Sequence, residues 1–279
     1  MSHNSSKLIA FNYFGGKHTW CDSISAYFPE HIHFIDVFCG SMAITLNKPF
    51  SQIDTANDIN GDVVHFFKIL RDHPDELIRQ LLLTPCSREE YNNSWGNIEG
   101  ISDIERARRF YIRVRQSFYG LGIQRQNKGW HAVKTVSRSQ FGETVNKWLN
   151  SIPKLFYVAE KLMHIQIENK HYRELIPAMD FEKAFFYLDP PYHPDCRKSS
   201  NDYMHDFTHE DHVELAAVAH KIKGLAMLST YDCKAMRDLY PGWYWVKFPI
   251  KKNNIRSGEV EECIVMNYNP ELIKRNLFN

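Results

Sequence analysis

The chain predicts an open α/β fold whose sheet is interrupted by a long helical segment. Three observations predict it. Phe185-Phe186-Tyr187-Leu188 is an apolar run that stops at Asp189-Pro190-Pro191-Tyr192, the pattern of a buried central strand. Phe34-Ile35-Asp36-Val37-Phe38 runs into Cys39-Gly40-Ser41, the strand and glycine turn that open nucleotide-binding α/β sheets. Between them, over residues 62–160, apolar residues recur at helical spacing, beginning with Val63, Phe66, Phe67 and Leu70.

Composition sets the bounds. A chain of 279 residues is one large domain, or a domain with a sizeable insertion. Hydrophobic residues make up 43% and charged residues 24%, which excludes a disordered or fibrous chain. A net charge of +1 names no partner, so the distribution of charge matters more than its sum. No apolar run approaches membrane-spanning length, and Met1 to Lys7 lead into no signal-peptide core. The six cysteines, Cys21, Cys39, Cys86, Cys196, Cys233 and Cys263, show no Cys-x-x-Cys spacing. They are expected as reduced thiols in a cytoplasmic protein.

In chain order, Ala10-Phe11-Asn12-Tyr13-Phe14-Gly15-Gly16-Lys17 comes first, a tight glycine turn with a mobile positive charge behind it. After the first strand and turn, Met42, Ala43, Ile44 and Leu46 are expected on a helix. Gln52 to Asn60 reads as a short strand ending in an acidic turn. Asp58 lies about 20 residues beyond Gly40, the spacing at which an acidic side chain accepts from ribose hydroxyls; its alternative role is a helix cap.

The helical segment carries a charge anomaly. Between Arg106 and Arg138 stand Arg106, Arg108, Arg109, Arg113, Arg115, Arg125, Lys128, Lys134 and Arg138, with no acidic residue among them. Aromatic and glycine residues, including Phe118, Tyr119, Gly120 and Trp130, are interleaved. Solvated helix faces normally mix signs, so this run is expected to face a nucleic-acid backbone. Arg113 and Arg115 are the phosphate candidates. The competing possibility is that these arginines pair with the acidic residues of 72–105.

The sheet resumes at His164 to Glu168 and again at Phe185. Prolines cannot continue a ladder, so Asp189 sits at the carboxyl end of a strand, where open α/β sheets bind ligands. The Asp189 carboxylate and the Pro190 carbonyl form a rigid acceptor pair beside the flat ring of Tyr192. That set suits a planar group carrying an amino substituent. Residues 193–205 read as a polar loop beside the site. Thr208 with Asp211 three residues on reads as a capping box. His205, His209 and His212 have the spacing to meet on a helix, but no metal is expected, because no thiol or carboxylate set accompanies them. Leu225 to Thr230 reads as a strand, and Trp243–Phe248 with Glu262–Tyr268 as an antiparallel pair. Thr84-Pro85-Cys86 offers an isolated Pro-Cys without partner motifs.

Asp189-Pro190-Pro191-Tyr192 resembles the catalytic motif of amino-group methyltransferases, especially the Dam-like (D12) DNA adenine N6 class. Tyr13 with Gly15-Gly16-Lys17 is similar to that class's aromatic-x-Gly-Gly-Lys motif. Asp36-x-Phe38-x-Gly40 is similar to its first cofactor motif, with Met42 where a second glycine is usual. Asn57-Asp58-Ile59-Asn60 is similar to its Asn-Asp-x-Asn motif. The order matches the α-type arrangement over nearly the whole chain. The resemblance implies a Rossmann-like seven-stranded methyltransferase sheet with helices on both faces, formed by residues 1–61 and 161–279. It implies a helical DNA-recognition domain inserted at 62–160. It implies S-adenosylmethionine as cofactor, held by Tyr13, Lys17, Asp36, Phe38, Gly40, Asp58 and Asp189, and catalysis by Asp189, Pro190 and Tyr192. Double-stranded DNA is the implied partner, met by a monomer or weak dimer through Arg113, Arg115, Phe118, Tyr119, Arg125 and Lys128. Within that loop Arg125 is the expected base reader, and Phe118 or Tyr119 the wedge. Relatives of the motif serve cytosine N4 and RNA methylation, and an inactive DNA-binding relative would retain the fold.

Overall fold

Seven strands form one sheet in the computed structural model, which describes residues 7–13, 15–117, 129–131, 142–196, 207–248, 262–271 and 273. They are β1 (His33–Asp36), β2 (Ile53–Asn57), β3 (Ile165–Glu168), β4 (Ala184–Leu188), β5 (Leu225–Tyr231), β6 (Tyr244–Lys247) and β7 (Glu262–Met266). Their spatial order is β3-β2-β1-β4-β5-β7-β6. The first five run parallel, and β7 lies antiparallel between β5 and β6. The chain leaves β1 towards β2 and β3 on one side and fills β4 and β5 on the other. The β1/β4 seam is therefore the switch point, where the carboxyl ends of parallel strands leave a crevice.

Side-chain alternation in the central strands decides which helices cover which face. In β4, Phe186 and Leu188 join Ile35, Val37, Ala226, Leu228 and Val265 under α8 (Tyr172–Met179), α9 (His209–Ala219) and α10 (Lys234–Leu239). Phe185 and Tyr187 point the other way, to Phe34, Met227, Ile264 and Met266 beneath α1 (Cys21–Ser25). Every residue of β4 is buried, as a strand covered on both faces must be.

Between β2 and β3 stand α2 (Gly61–Asp72), α3 (Pro74–Leu83), α4 (Arg88–Asn93), α5 (Asp103–Gln116), α6 (Glu143–Ser151) and α7 (Leu155–Leu162). Their apolar faces pack into one cluster with Ala56 and Ile165 of the sheet and with Phe11 and Met42. Phe11 is the joint: its ring lies 5.5 Å from Phe66 and from Phe67 and 5.3 Å from Phe110.

Two expectations are corrected here. Residues 41–47 form consecutive turns, not a helix. Met42 takes φ 53°, the left-handed region that β-carbons resist, and that breaks a helix at its start. The thiols are also not all free. Cys196 and Cys233 are bonded, with Cα atoms 6.0 Å apart. Each follows the carboxyl end of a strand, β4 or β5, and those strands are neighbours, so 37 residues of separation vanish in space. Cys21, Cys39, Cys86 and Cys263 remain free.

Candidate active site

The strand ends at the switch point deliver the site's parts. Asp36 closes β1, and Asp189 follows β4 directly. Asn57, at the end of β2, donates to Val37 O at 2.9 Å and Lys170 O at 3.0 Å. That clamps the ends of β1, β2 and β3 together. Asp58 then accepts from Gly40 N with one oxygen and Asn60 N with the other, both at 2.9 Å. Asn60 caps α2 by accepting from Asp62 N, so the capping role falls to Asn60 while Asp58 braces the glycine turn. Gly40 has φ 48°, and a β-carbon there would lie 3.0 Å from the Tyr13 ring. The position thus needs glycine for both conformation and space.

Tyr13, Lys17, Asp36, Phe38, Gly40, Asp58, Asp189, Pro190 and Tyr192 all line one solvent-open cleft. Every cofactor and catalytic candidate from the sequence therefore meets at one place. Lys17 is almost fully buried. Its Nζ lies 2.9 Å from Asp189 Oδ1, 3.6 Å from Glu262 Oε1 and 4.7 Å from the Tyr192 ring centroid, and it donates to Gly15 O at 2.8 Å. Tyr192 donates its hydroxyl to Glu262 and meets Tyr231 edge-on at 4.5 Å between centroids.

Burial controls the charges. Desolvation lifts Asp189 from its ordinary carboxylate value to about 6, with Lys17 opposing. Asp36 is lifted to about 7 by burial, against the hydrogen bond from Thr45 Oγ1 at 2.6 Å. That bond takes Oδ2; the buried Oδ1 has no partner among the described residues. A buried acceptor left open in a cleft wall is what a donor group of a bound ligand completes.

Sequence reasoning passed over Glu262 and Tyr231 as site residues. Each is an unremarkable polar or aromatic residue at a strand end. Only the β5/β7 pairing, which sets Tyr231 opposite Glu262, brings them to Tyr192.

The basic run divides differently. Arg106 and Arg113 both pair with Asp62, at 2.7 and 3.2 Å. Arg108 pairs with Glu90 and Glu105, and Arg109 with Glu105. Arg113 is only 6% exposed and donates to Ser94 O at 2.7 Å. It is therefore withdrawn as a phosphate ligand: it is an internal tie, buried where no phosphate reaches. Arg115 is half-buried and reaches Asn12 Oδ1 and Lys147 O at 3.4 and 3.0 Å. Phe118, Tyr119, Arg125 and Lys128 lie outside the described residues.

The histidine expectation also changes. His205 lies outside the described residues, and the two thiols gather beside His193, which that expectation did not include. His193, Cys196 and Cys233 bring ligand atoms within 4.8 Å of one another, and His193 Nε2 lies 2.9 Å from His209 Nδ1. No helix among the described residues is long and apolar enough to cross a membrane.

Comparison with known proteins agrees with this geometry. The chain is 28% identical to the Type II methyltransferase M1.LlaDCHI of Lactococcus lactis subsp. cremoris, over 91% of this chain and 93% of that protein. It is 24% identical to the Type II methyltransferase M.MjaIII of Methanocaldococcus jannaschii, over 91% and 96%. With the DNA N-6-adenine-methyltransferase of Escherichia phage P1 it shares 25% identity, over 82% of this chain but 30% of that protein. The model of the D12 class N6 adenine-specific DNA methyltransferase family matches residues 13–255. The chain, with its acceptor pair at the end of β4 and its glycine turn at the end of β1, is a member of that D12 class and a DNA adenine N6 methyltransferase.

Proposed function

We propose that the cleft binds S-adenosylmethionine and that the protein methylates an adenine turned out of double-stranded DNA. The observation that carries this is the acceptor pair of Asp189 and Pro190, with Tyr192 beside it, in the same cleft as the glycine turn and two buried carboxylates. When bound, S-adenosylmethionine supplies an electrophilic methyl group on a sulfonium. Asp36 offers an open carboxylate oxygen for its donors, and Asp58, beside Gly40, suits the ribose. Tyr13, Lys17 and Phe38 complete the wall.

An adenine amino group is paired inside the duplex, so the base must leave the stack to react. Tyr192 then offers its ring face to the base. Asp189 and the Pro190 carbonyl accept the two amino N–H bonds. This draws the nitrogen lone pair out of ring conjugation, and the acceptors are already fixed when charge develops on nitrogen. Glu262, 3.6 Å from Lys17, keeps a carboxylate beside that ammonium when the amino group engages Asp189. No covalent enzyme intermediate is needed.

Residues 62–160 are assigned to target recognition. Arg115 and Lys128 would meet the backbone, Arg125 a base edge, and Phe118 or Tyr119 the space left by the adenine. The names of the Lactococcus and Methanocaldococcus relatives, both Type II methyltransferases, favour a modification role beside a restriction enzyme. The test is transfer of labelled methyl from S-adenosylmethionine to unmethylated DNA, followed by nucleoside analysis. Label in N6-methyladenine is the expected result. Label in N4-methylcytosine or only in RNA, or DNA binding without turnover, would overturn the proposal.

A further inference from the structure

A second donor cluster stands outside the methyl-transfer cleft, just behind Tyr192. His193 and Cys196 lie on one short turn after β4, Cys233 stands just before α10 beyond the end of β5, and His209 opens α9. His193 and Cys196 are buried, with exposures of 1% and 7%. A ring nitrogen of His193 and both sulfurs lie within 4.8 Å of one another. His209 Nδ1 is 2.9 Å from His193 Nε2.

We propose that, when the two cysteines are reduced, this cluster is a structural zinc-type site, ligated by His193, Cys196 and Cys233 with His209 as the fourth donor. A disulfide accounts for two of these side chains only. It gives no reason for a buried imidazole against both sulfurs, or for a second imidazole against the first. Two thiolates and two imidazoles are the donor set that tetrahedral Zn²⁺ selects. The surroundings fit ligation through His193 Nε2. Its Nδ1 lies 3.9 Å from the Asp195 carboxylate, which takes the Nδ1–H when Nε2 binds metal, a common outer-shell arrangement. In this structure the Asp195 N–H donates to Nδ1 at 3.1 Å, so that turn shifts slightly on loading.

The chemistry balances simply. The Cys196–Cys233 bond is opened by a two-electron reductant: a dithiol, which becomes a disulfide, or a phosphine, which with one water becomes its oxide, and either way two thiols result. Binding Zn²⁺ then releases two protons, one from each thiol. The ion ties the segment after Tyr192 to the ends of β5 and to α9, three elements otherwise far apart in sequence.

The experiment is elemental analysis of the full chain, purified with a phosphine reductant and without chelator, alongside Cys196→Ser and Cys233→Ser. The wild type should hold one zinc per chain, and each variant should lose it more than tenfold while still binding S-adenosylmethionine. Co²⁺ added to the reduced wild type should show tetrahedral ligand-field bands and thiolate charge transfer, and this reading stands even if a serine variant fails to fold. The proposal is overturned if the reduced wild type dialysed against micromolar zinc retains none. It is equally overturned if zinc survives in both serine variants, or if Co²⁺ shows no thiolate band.

Discussion

The cleft at the switch point was marked in the sequence by a short ordered motif, and the basic face of α5 by a concentration of arginine. They turn out opposite in kind. At the cleft, Asp189, Pro190 and Tyr192 are joined by the backbone, so adjacency in sequence becomes adjacency in space. On α5, Arg106, Arg108, Arg109 and Arg113 have their charges taken up by Asp62, Glu90 and Glu105. A count of charges along one segment says nothing about acids folded against it from another. A rigid local motif carries its geometry from sequence to structure, whereas the charge of these four arginines is answered by acids that their own segment does not show.

The largest effect that tests this contrast is at Asp189. Asp189→Ala should lower methyl transfer by about 10³-fold, the scale of removing a preorganised catalytic group, while calorimetry shows cofactor affinity little changed. Near-normal turnover would dissolve the local side of the comparison. Arg113→Ala should come next, costing about 2–3 kcal/mol of stability. It strands Ser94 O and one arm of Asp62, discounted because Asp62 is about a third exposed. Thermal melts should fall while the salt dependence of DNA binding keeps its slope. A flattened slope with an unchanged melt would return Arg113 to the DNA.

The pH profile is a subtler probe. Asp189 must be ionised to accept from an amino group, and burial raises its pKa to about 6. The active form is therefore present above about pH 6 and lost below it. kcat/KM, which reports the free enzyme, should fall about tenfold per pH unit on the acid side. A profile flat to pH 5 would remove the buried carboxylate from the rate. Smallest is Arg115→Ala: less than about 1 kcal/mol in stability, as for exposed polar contacts, and about one unit off the salt slope if it meets one phosphate. An unchanged slope would extend the internal role to all of α5.

Much of the fold was legible because its signals were local. The run from Phe185 to Leu188 became β4, and the Thr208–Asp211 capping box is present at the head of α9. The edge strands were found within a residue or two, since β-branched and aromatic runs mark them. What failed was non-local or strained. Met42, with Ala43 and Ile44, has helical propensity, but its φ of 53° shows a backbone suited to glycine. The buried Met42 side chain in the core under α2 offsets that strain. Glu262 was invisible because its meaning comes from β5, and the Cys196–His193 cluster because it needs β4 and β5 side by side.

The contact between Lys17 and Glu262 has a consequence for the order of events during synthesis. It joins positions 245 apart, from 262 less 17, and β7 must insert between β5 and β6 before it forms. Such long-range closures are slow and come late in folding. A growing chain that has exposed Asp189 but not residues 262–266 lacks the acid that holds both Lys17 and the Tyr192 hydroxyl. The contacts of Glu262 with Lys17 and with the Tyr192 hydroxyl therefore form only once translation has passed β7.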